Sequence, residues 1–296
     1  MRVVIAGASG FLGSNLVDEL RVRGHEVTRL VRRPPTDPHE SEWDPATDRI
    51  DSDLVESADV VVTLNGSSLL GNPHSEAHRR RILDSRVQST RLLAEAVAAS
   101  DRPPAMVAAN GSAWYGDHGA EVVTEDSDSR GDAFMTRVAR EWQEATTPAV
   151  EAGARVCLLR TVPVLAEGSM VFSVVVPLFR LWLGGRLGDG SQYFPVVSLR
   201  DWVGAVAFVI ESPDLSGPVN ICAPTTATNA EFTEALARRL HRKALVPVPA
   251  PVLRTAAGPM APELLASYHL RPAALERAGF EFEDRDVEAV LAAGLP

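Results

Sequence analysis

The sequence predicts an α/β protein with a doubly wound parallel sheet, and two observations carry that prediction. Short apolar runs such as Val3-Val4-Ile5-Ala6 and Val60-Val61-Val62 alternate along the chain with longer stretches at helical spacing. At the very start, strand, glycine-rich turn and helix follow one another without interruption from Met1 to Gly24. The apolar run stops at Gly7-Ala8-Ser9-Gly10-Phe11-Leu12-Gly13, and Leu12, Leu16 and Leu20 then recur at helical spacing until Gly24, a suitable C′ residue.

That opening stretch predicts a dinucleotide site. Gly7 permits a tight turn, Gly10 lets the backbone approach a pyrophosphate, and Gly13 lets helix and strand pack closely. The helix N-terminus adds free N–H groups and the positive end of a dipole. Gly7, Ser9, Gly10, Phe11, Leu12 and Gly13 are therefore the candidate cofactor-binding residues. The alternative is a glycine-rich turn that binds nothing.

Length and charge bound the rest. At 296 residues the chain can bury a large core, in one or two domains. A net charge of −10 argues against nonspecific nucleic-acid partners and against an anionic membrane surface. Any positive charge used on a ligand must therefore be local. Cys157 and Cys222 sit in apolar runs, make no metal pattern, and read as buried thiols of a reducing compartment. With the first strand beginning at residue 2, no signal peptide is expected, and no apolar stretch is long enough to span a bilayer. A cytoplasmic protein is expected. Lys243 is the single lysine.

In chain order, Glu26 to Arg33 is the second strand, stopped by Pro34-Pro35. In a dinucleotide fold this strand end faces the adenine ribose, where a carboxylate binds the 2′-hydroxyl of NAD and arginine suits the 2′-phosphate of NADP. Here it ends Arg32-Arg33, with no carboxylate before Asp37, so NADP(H) is the expected cofactor. Two solvated arginines are the alternative. Residues 34–56 read as a polar loop around Trp43-Asp44-Pro45. Asp59 to Thr63 is a buried strand running into Leu64-Asn65-Gly66, which should pass over the cofactor. The spacing of Ile82, Leu83, Val87, Leu92, Leu93 and Val97 predicts a long amphipathic helix from about Glu76 to Ala99.

Ala105 to Ala109 is the next strand and empties into Asn110-Gly111-Ser112-Ala113-Trp114-Tyr115-Gly116. Open α/β sheets bind ligands beyond the carboxyl ends of their strands, so chemistry belongs at this loop. Phe134, Val138, Ala139, Trp142 and Ala145 give another helical stripe, stopped near Pro148 or Gly153, and Arg155 to Arg160 is a further strand. Beyond Thr161 the pattern changes. Met170 to Leu183 is apolar but broken by Pro177 and Arg180, as suits a helix lining a substrate pocket or a dimer face, with membrane-surface contact the alternative. Asp189-Gly190 signals a turn. Arg200 to Glu211 should be helical, Pro218 to Cys222 a last strand, and Thr228 to Glu231 a capping box opening a helix to about Leu240. The run from Val246 to Pro251 begins a small C-terminal cap. The pattern thus sets residues 1–165, to which 195–225 return, apart from 166–194 and 226–296.

These pieces resemble the extended short-chain dehydrogenase/reductase superfamily of the nucleotide-sugar epimerase type. More narrowly, they resemble its "epimerase family" branch with a C-terminal domain of unknown function. The resemblance is carried by Gly7 to Gly13, Arg32-Arg33, Trp43-Asp44-Pro45, Ile82-Leu83-Asp84-Ser85-Arg86-Val87 and Tyr115-Gly116-Asp117. Thr124-Glu125-Asp126, Arg160-Thr161, and Gly217 to Asn220 through Thr228 to Thr233 extend it over nearly the whole chain. It implies an NADP(H)-binding Rossmann domain over 1–165, with 195–225 returning to it, and a smaller C-terminal α/β substrate domain over 166–194 and 226–296.

The superfamily's redox chemistry uses a tyrosine to exchange a proton with the substrate oxygen, and a lysine four residues on that lowers its pKa. This sequence has no such pair. Gly119, Val197 and Pro272 stand four residues beyond Tyr115, Tyr193 and Tyr268, and Phe134 and Val138 occupy the expected place. The branch generally lacks the pair as well. The serine-rich strand end expected before the Tyr-Gly pair reads Ala108-Ala109-Asn110-Gly111, with Ser112 shifted, and the branch's Trp-Ile-His stretch reads Val196-Val197-Ser198. Tyr115 and Ser112 are the candidate catalytic substitutes, with Ser112 or Asn110 a hydrogen-bond donor for a carbonyl oxygen and Asn110 also a candidate cofactor contact. Each has a plainer reading, an aromatic wall in the case of Tyr115. His118 is an acid–base candidate or an exposed loop histidine. Arg86 is a candidate anion clamp or a helix-surface ion pair, and Trp114 and Tyr193 join it as candidate substrate contacts. Two function classes stay open: an NADP(H)-dependent, epimerase-like oxidoreductase acting on a small-molecule substrate with non-standard residues, and an NADP(H)-binding regulator without turnover. The resemblance also makes a homodimer through the helices near 78–99 and 133–149 an expectation.

Overall fold

The computed structural model describes residues 1–244 and 247–295; Val246, the start of the predicted cap run, lies outside them. The chain runs β1 (Arg2–Ala6), α1 (Phe11–Val22), β2 (Glu26–Val31), β3 (Glu40–Glu42), α2 (Ser52–Ser57), β4 (Val60–Thr63), α3 (Glu76–Ala99) and β5 (Ala105–Gly111). Then come β6 (Val122–Val123), α4 (Phe134–Glu144), α5 (Thr147–Glu151), β7 (Val156–Thr161), β8 (Val164–Leu165), α6 (Met170–Arg180), β9 (Val197–Ser198) and α7 (Leu199–Glu211). The last part holds β10 (Gly217–Ile221), α8 (Asn229–Arg239), α9 (Ala250–Ala257), α10 (Ala261–Leu265), β11 (His269–Leu270), α11 (Ala273–Ala278) and α12 (Val287–Gly294).

The seven-stranded sheet has the order β10-β7-β5-β4-β1-β2-β3, and every neighbouring pair in it is parallel. From β1 the chain steps outward to β2 and β3, then crosses back to β4. The reversal leaves a crevice between the carboxyl ends of β1 and β4, where Ala6 lies in register with Thr63. Side chains of one strand alternate between the sheet's faces. Val3 and Ile5 pack with Leu16 and Leu20 of α1 and Trp202 and Val206 of α7, whereas Val4 and Ala6 pack with Leu93 and Val97 of α3. A third cluster, away from the sheet, joins Phe172, Val176 and Phe179 of α6 to Phe232 and Leu236 of α8 and Val290 and Leu291 of α12.

The segment 34–56 differs from the expected loop. It contributes β3 at the sheet edge and α2, whose N-cap Asp51 accepts from the Leu54 amide. β3 escapes a search for apolar alternation because its buried residue is Glu40, and the tryptophan after it, Trp43, is 1% exposed. The second strand also stops at Val31, so Arg32 and Arg33 lie in the bend beyond it.

Candidate functional site

Three glycines shape the crevice. Gly7 has φ +87°, and a Cβ there would stand 2.8 Å from the Leu64 carbonyl carbon. A Cβ on Gly13 would come within 2.2 Å of the Gly7 oxygen, which is why α1 can lie so close to β1. The Gly10 amide donates to the Gly7 carbonyl at 3.1 Å, closing the turn. A Cβ on Gly10 would meet only that carbonyl, at 3.4 Å, and otherwise enter open space. α1 then starts at Phe11 with no side-chain cap and no acidic residue in its first turn, so its leading amides stay available to an anion. Ser9 is exposed on the turn, and Phe11 and Leu12 are half-buried against the core. Across the crevice, the Leu64 amide donates to Ala6; Leu64 and Asn65 are half-buried and Gly66 is exposed.

At the end of β2 the predicted arginine pair divides. Arg32 is exposed and makes no ion pair or hydrogen bond among the described residues. Arg33 instead closes its fork on Glu40, Nη1 to Oε2 at 2.8 Å and Nη2 to Oε1 at 2.7 Å. Of the two arginines expected at the 2′-phosphate, Arg33 thus has its guanidinium engaged by Glu40 while remaining half-exposed, and Arg32 has none of its donors engaged among the described residues.

The loop after β5 departs further from expectation. Asn110 donates to the Ala139 carbonyl at 3.0 Å and accepts from the Gly111 amide at 2.7 Å, so its amide braces α4 against β5 instead of facing a cofactor. Tyr115 is 0% exposed, and its hydroxyl donates to Asn220 Oδ1 at 2.7 Å. Burial pushes the phenol up to about 12, against the lowering effect of Arg160. The hydroxyl is sealed from the crevice and committed to Asn220, which corrects the catalytic reading of Tyr115. Ser112 opens the 3₁₀ turn after β5 (Ser112–Trp114). Ser112 is 6% exposed, and its hydroxyl makes no hydrogen bond among the described residues. Trp114 lies under the Arg160 guanidinium, 3.5 Å from its ring centroid, and is a packing surface on that side. His118 is buried with Nε2 3.2 Å from the Asp128 carbonyl, and so is no exposed loop residue.

Arg86 makes no surface ion pair. It is 8% exposed, donates to the Ile82 and Ser67 carbonyls, and faces the Trp142 ring at 5.3 Å. Burial lowers it to about 10, and no carboxylate lies within ion-pair distance of it among the described residues. Tyr193 stacks on His269 with centroids 3.9 Å apart and helps to line a cleft of about 700 Å³. Asp117, Asp189, Gln192, Arg254 and Ser267 also line it, whereas none of the cradle glycines does. At the head of α4, Val138 is buried and Phe134 half-buried, while Arg137 turns outward onto Asp132. Among the described residues no cluster of ligands could hold a metal ion.

Sequence reasoning missed the polar network behind Tyr115. Glu125 accepts from the Asn220 and Ala274 amides, and the Asn220 side chain donates to the Arg271 carbonyl. The available signal was a charged residue, Arg160, closing an otherwise apolar strand. Glu40, the partner of Arg33, was missed as well.

The NAD dependent epimerase/dehydratase family matches residues 3–222, and a domain of unknown function, DUF1731, matches residues 248–293. This chain belongs to the NAD dependent epimerase/dehydratase family. Epimerase family protein MT2273 of Mycobacterium tuberculosis is 39% identical over 290 residues, covering 98% of this chain and 96% of that one. The mouse epimerase family protein SDR39U1 is 34% identical, with 98% of each chain covered. The crystal structure of human epimerase family protein SDR39U1 (isoform 2) with NADPH superposes with a TM-score of 0.89 at 31% identity, over 100% of this chain and 99% of that one. In this epimerase-family protein, Gly7 and Gly13 sit where a Cβ would strike backbone, and Gly10 faces open space at the start of α1. On α4, apolar Phe134 and Val138 pack toward the protein interior.

Proposed function

We propose that the protein binds NADP(H) in the Gly7–Gly13 cradle and acts as an epimerase-like oxidoreductase on a small molecule, without a Tyr-xxx-Lys pair. The observation that carries the proposal is the cradle itself. Gly7 and Gly13 sit where any Cβ would strike backbone, and Gly10 leaves open the space a pyrophosphate requires. The likeness to the NADPH-bound human relative supports the same nucleotide. When bound, NADP(H) supplies hydride exchange at its nicotinamide. The protein's part is to hold and orient. The uncapped first turn of α1 receives the pyrophosphate, and Arg32 meets the 2′-phosphate. Ser112 donates a hydrogen bond to the substrate oxygen, with water carrying the proton that Tyr115, sealed against Asn220, cannot deliver.

A second reading, a non-catalytic NADP(H)-binding regulator, is favoured by one observation: apolar Phe134 and Val138 stand where proton transfer is expected. A screen of the NADPH-loaded protein against nucleotide sugars and small carbonyl compounds separates the two. The enzyme reading expects turnover of at least one compound, lowered by Ser112→Ala and unchanged by Tyr115→Phe. NADPH binding with no turnover across the panel supports the regulator.

A further inference from the structure

We propose that Glu40 sets the NADP(H) preference of this site by locking Arg33 away and leaving Arg32 to meet the 2′-phosphate; the proposal rests on the nucleotide reading above. The Glu40 side chain is 2% exposed, yet it is a carboxylate on an edge strand. Its oxygens are fully used. Oε1 accepts from Arg33 Nη2 at 2.7 Å and forms an ion pair with Arg29 Nη2 at 3.0 Å, and Oε2 accepts from Arg33 Nη1 at 2.8 Å and the Thr36 amide at 2.9 Å. The Thr36 hydroxyl adds a further bond to Oε2 at 3.2 Å. The Arg33 fork, then the Thr36 amide and hydroxyl, hold the carboxyl at about 2 against the effect of burial, so it is ionised throughout the neutral range.

The arrangement works as a staple. Arg33 Nη1 also donates to the Pro34 carbonyl and the Thr36 hydroxyl, so one guanidinium ties residues 33–36 to β3. Pro34 and Pro35 stiffen the same bend. Arg32, immediately before the staple and immediately after β2, has both its flanks fixed while its own side chain stays exposed and unpaired among the described residues. With Arg29, Arg32 and Arg33 set against Glu40 and Asp37, the local charge stays positive although the site contains a buried carboxylate. A phosphate therefore meets a single presented guanidinium on a rigid bend. Arg33 and Glu40 are positioning residues.

Fluorescence titrations of NADPH and NADH against wild type, Arg32→Ala, Arg33→Ala, Glu40→Gln and the double variant Arg33→Ala/Glu40→Gln test this. Arg32→Ala should lose at least about tenfold of the NADPH-over-NADH preference while keeping its NADH affinity. Arg33→Ala and Glu40→Gln should each lower the preference, and the double variant should be no worse than either single one, because the pair acts as a unit. A Glu40→Gln protein that binds NADPH more tightly would overturn the proposal, since a released Arg33 would then be the direct ligand. An unchanged NADPH-to-NADH ratio in both Glu40→Gln and Arg33→Ala would overturn it too, and would leave the nucleotide reading intact. Arg33 is half-exposed, so its variant keeps the test open if Glu40→Gln folds poorly. Wild-type protein that binds neither nucleotide would remove both the proposal and the reading beneath it.

Discussion

At the scale of single residues, the cradle depends on atoms that are absent. A Gly13→Ala substitution places a methyl group 2.2 Å from the Gly7 oxygen, a backbone atom that cannot swing aside. Overpacking of this kind costs about 1–3 kcal/mol, and thermal unfolding should show a clear drop in Tm together with loss of nucleotide binding. Tyr115 gives the opposite pattern. Tyr115→Phe removes the hydrogen bond to Asn220 and leaves a buried amide oxygen short of its donor, at about 1–3 kcal/mol. Stability measured in urea should fall, while any turnover discovered should persist. The sequence could place Tyr115 on the right loop because strand ends and loops follow from local pattern. It could not show which way the ring points, since that is decided by Asn220 and Arg160, far along the chain on β10 and β7. Gly10 and Gly13 were legible for the converse reason: the atoms that confine them, on Gly7 and Ala8, lie a few residues away.

At the scale of elements, the periodic helices were the most legible parts. α3 spans Glu76–Ala99 as its apolar spacing predicts, and α8 opens on the full Thr228–Glu231 capping box. β3 was illegible because three residues with one buried glutamate carry no strand signature. The short C-terminal helices hold a titration that only packing reveals. In α10, burial pushes Glu263 up to about 7, against the pull of the Tyr268 hydroxyl that donates to it at 3.1 Å. A carboxyl raised on folding binds its proton more tightly in the native state. Its neutral form therefore favours the fold at low pH, and stability falls as pH rises from about 4.5 to about 7. Urea unfolding across that window should show wild type losing stability relative to Glu263→Gln. Parallel curves for the two proteins would contradict the assignment.

At the scale of the whole molecule, the order of strands creates the site. The reversal between β1 and β4 opens the crevice that Gly7 floors, and α1 aims its uncapped end into it. The doubly wound sheet was readable from alternating runs, whereas the separate 700 Å³ cleft beside Tyr193 was not. Its walls come from segments more than a hundred residues apart, such as Asp117 and Arg254. The NADP(H) cradle is the central claim, and Gly10 tests it most directly. Its φ of −76° and ψ of 168° suit any L-residue, so Gly10→Val should fold with little change in Tm while its side chain fills the space a pyrophosphate needs. The decisive measurement is a fluorescence titration of NADPH and NADH against wild type and Gly10→Val. Tighter binding of NADPH than NADH by wild type, with both lost in a folded Gly10→Val protein, is the predicted result. Wild-type protein that binds neither nucleotide, or a Gly10→Val protein that binds NADPH as well as wild type, would contradict it.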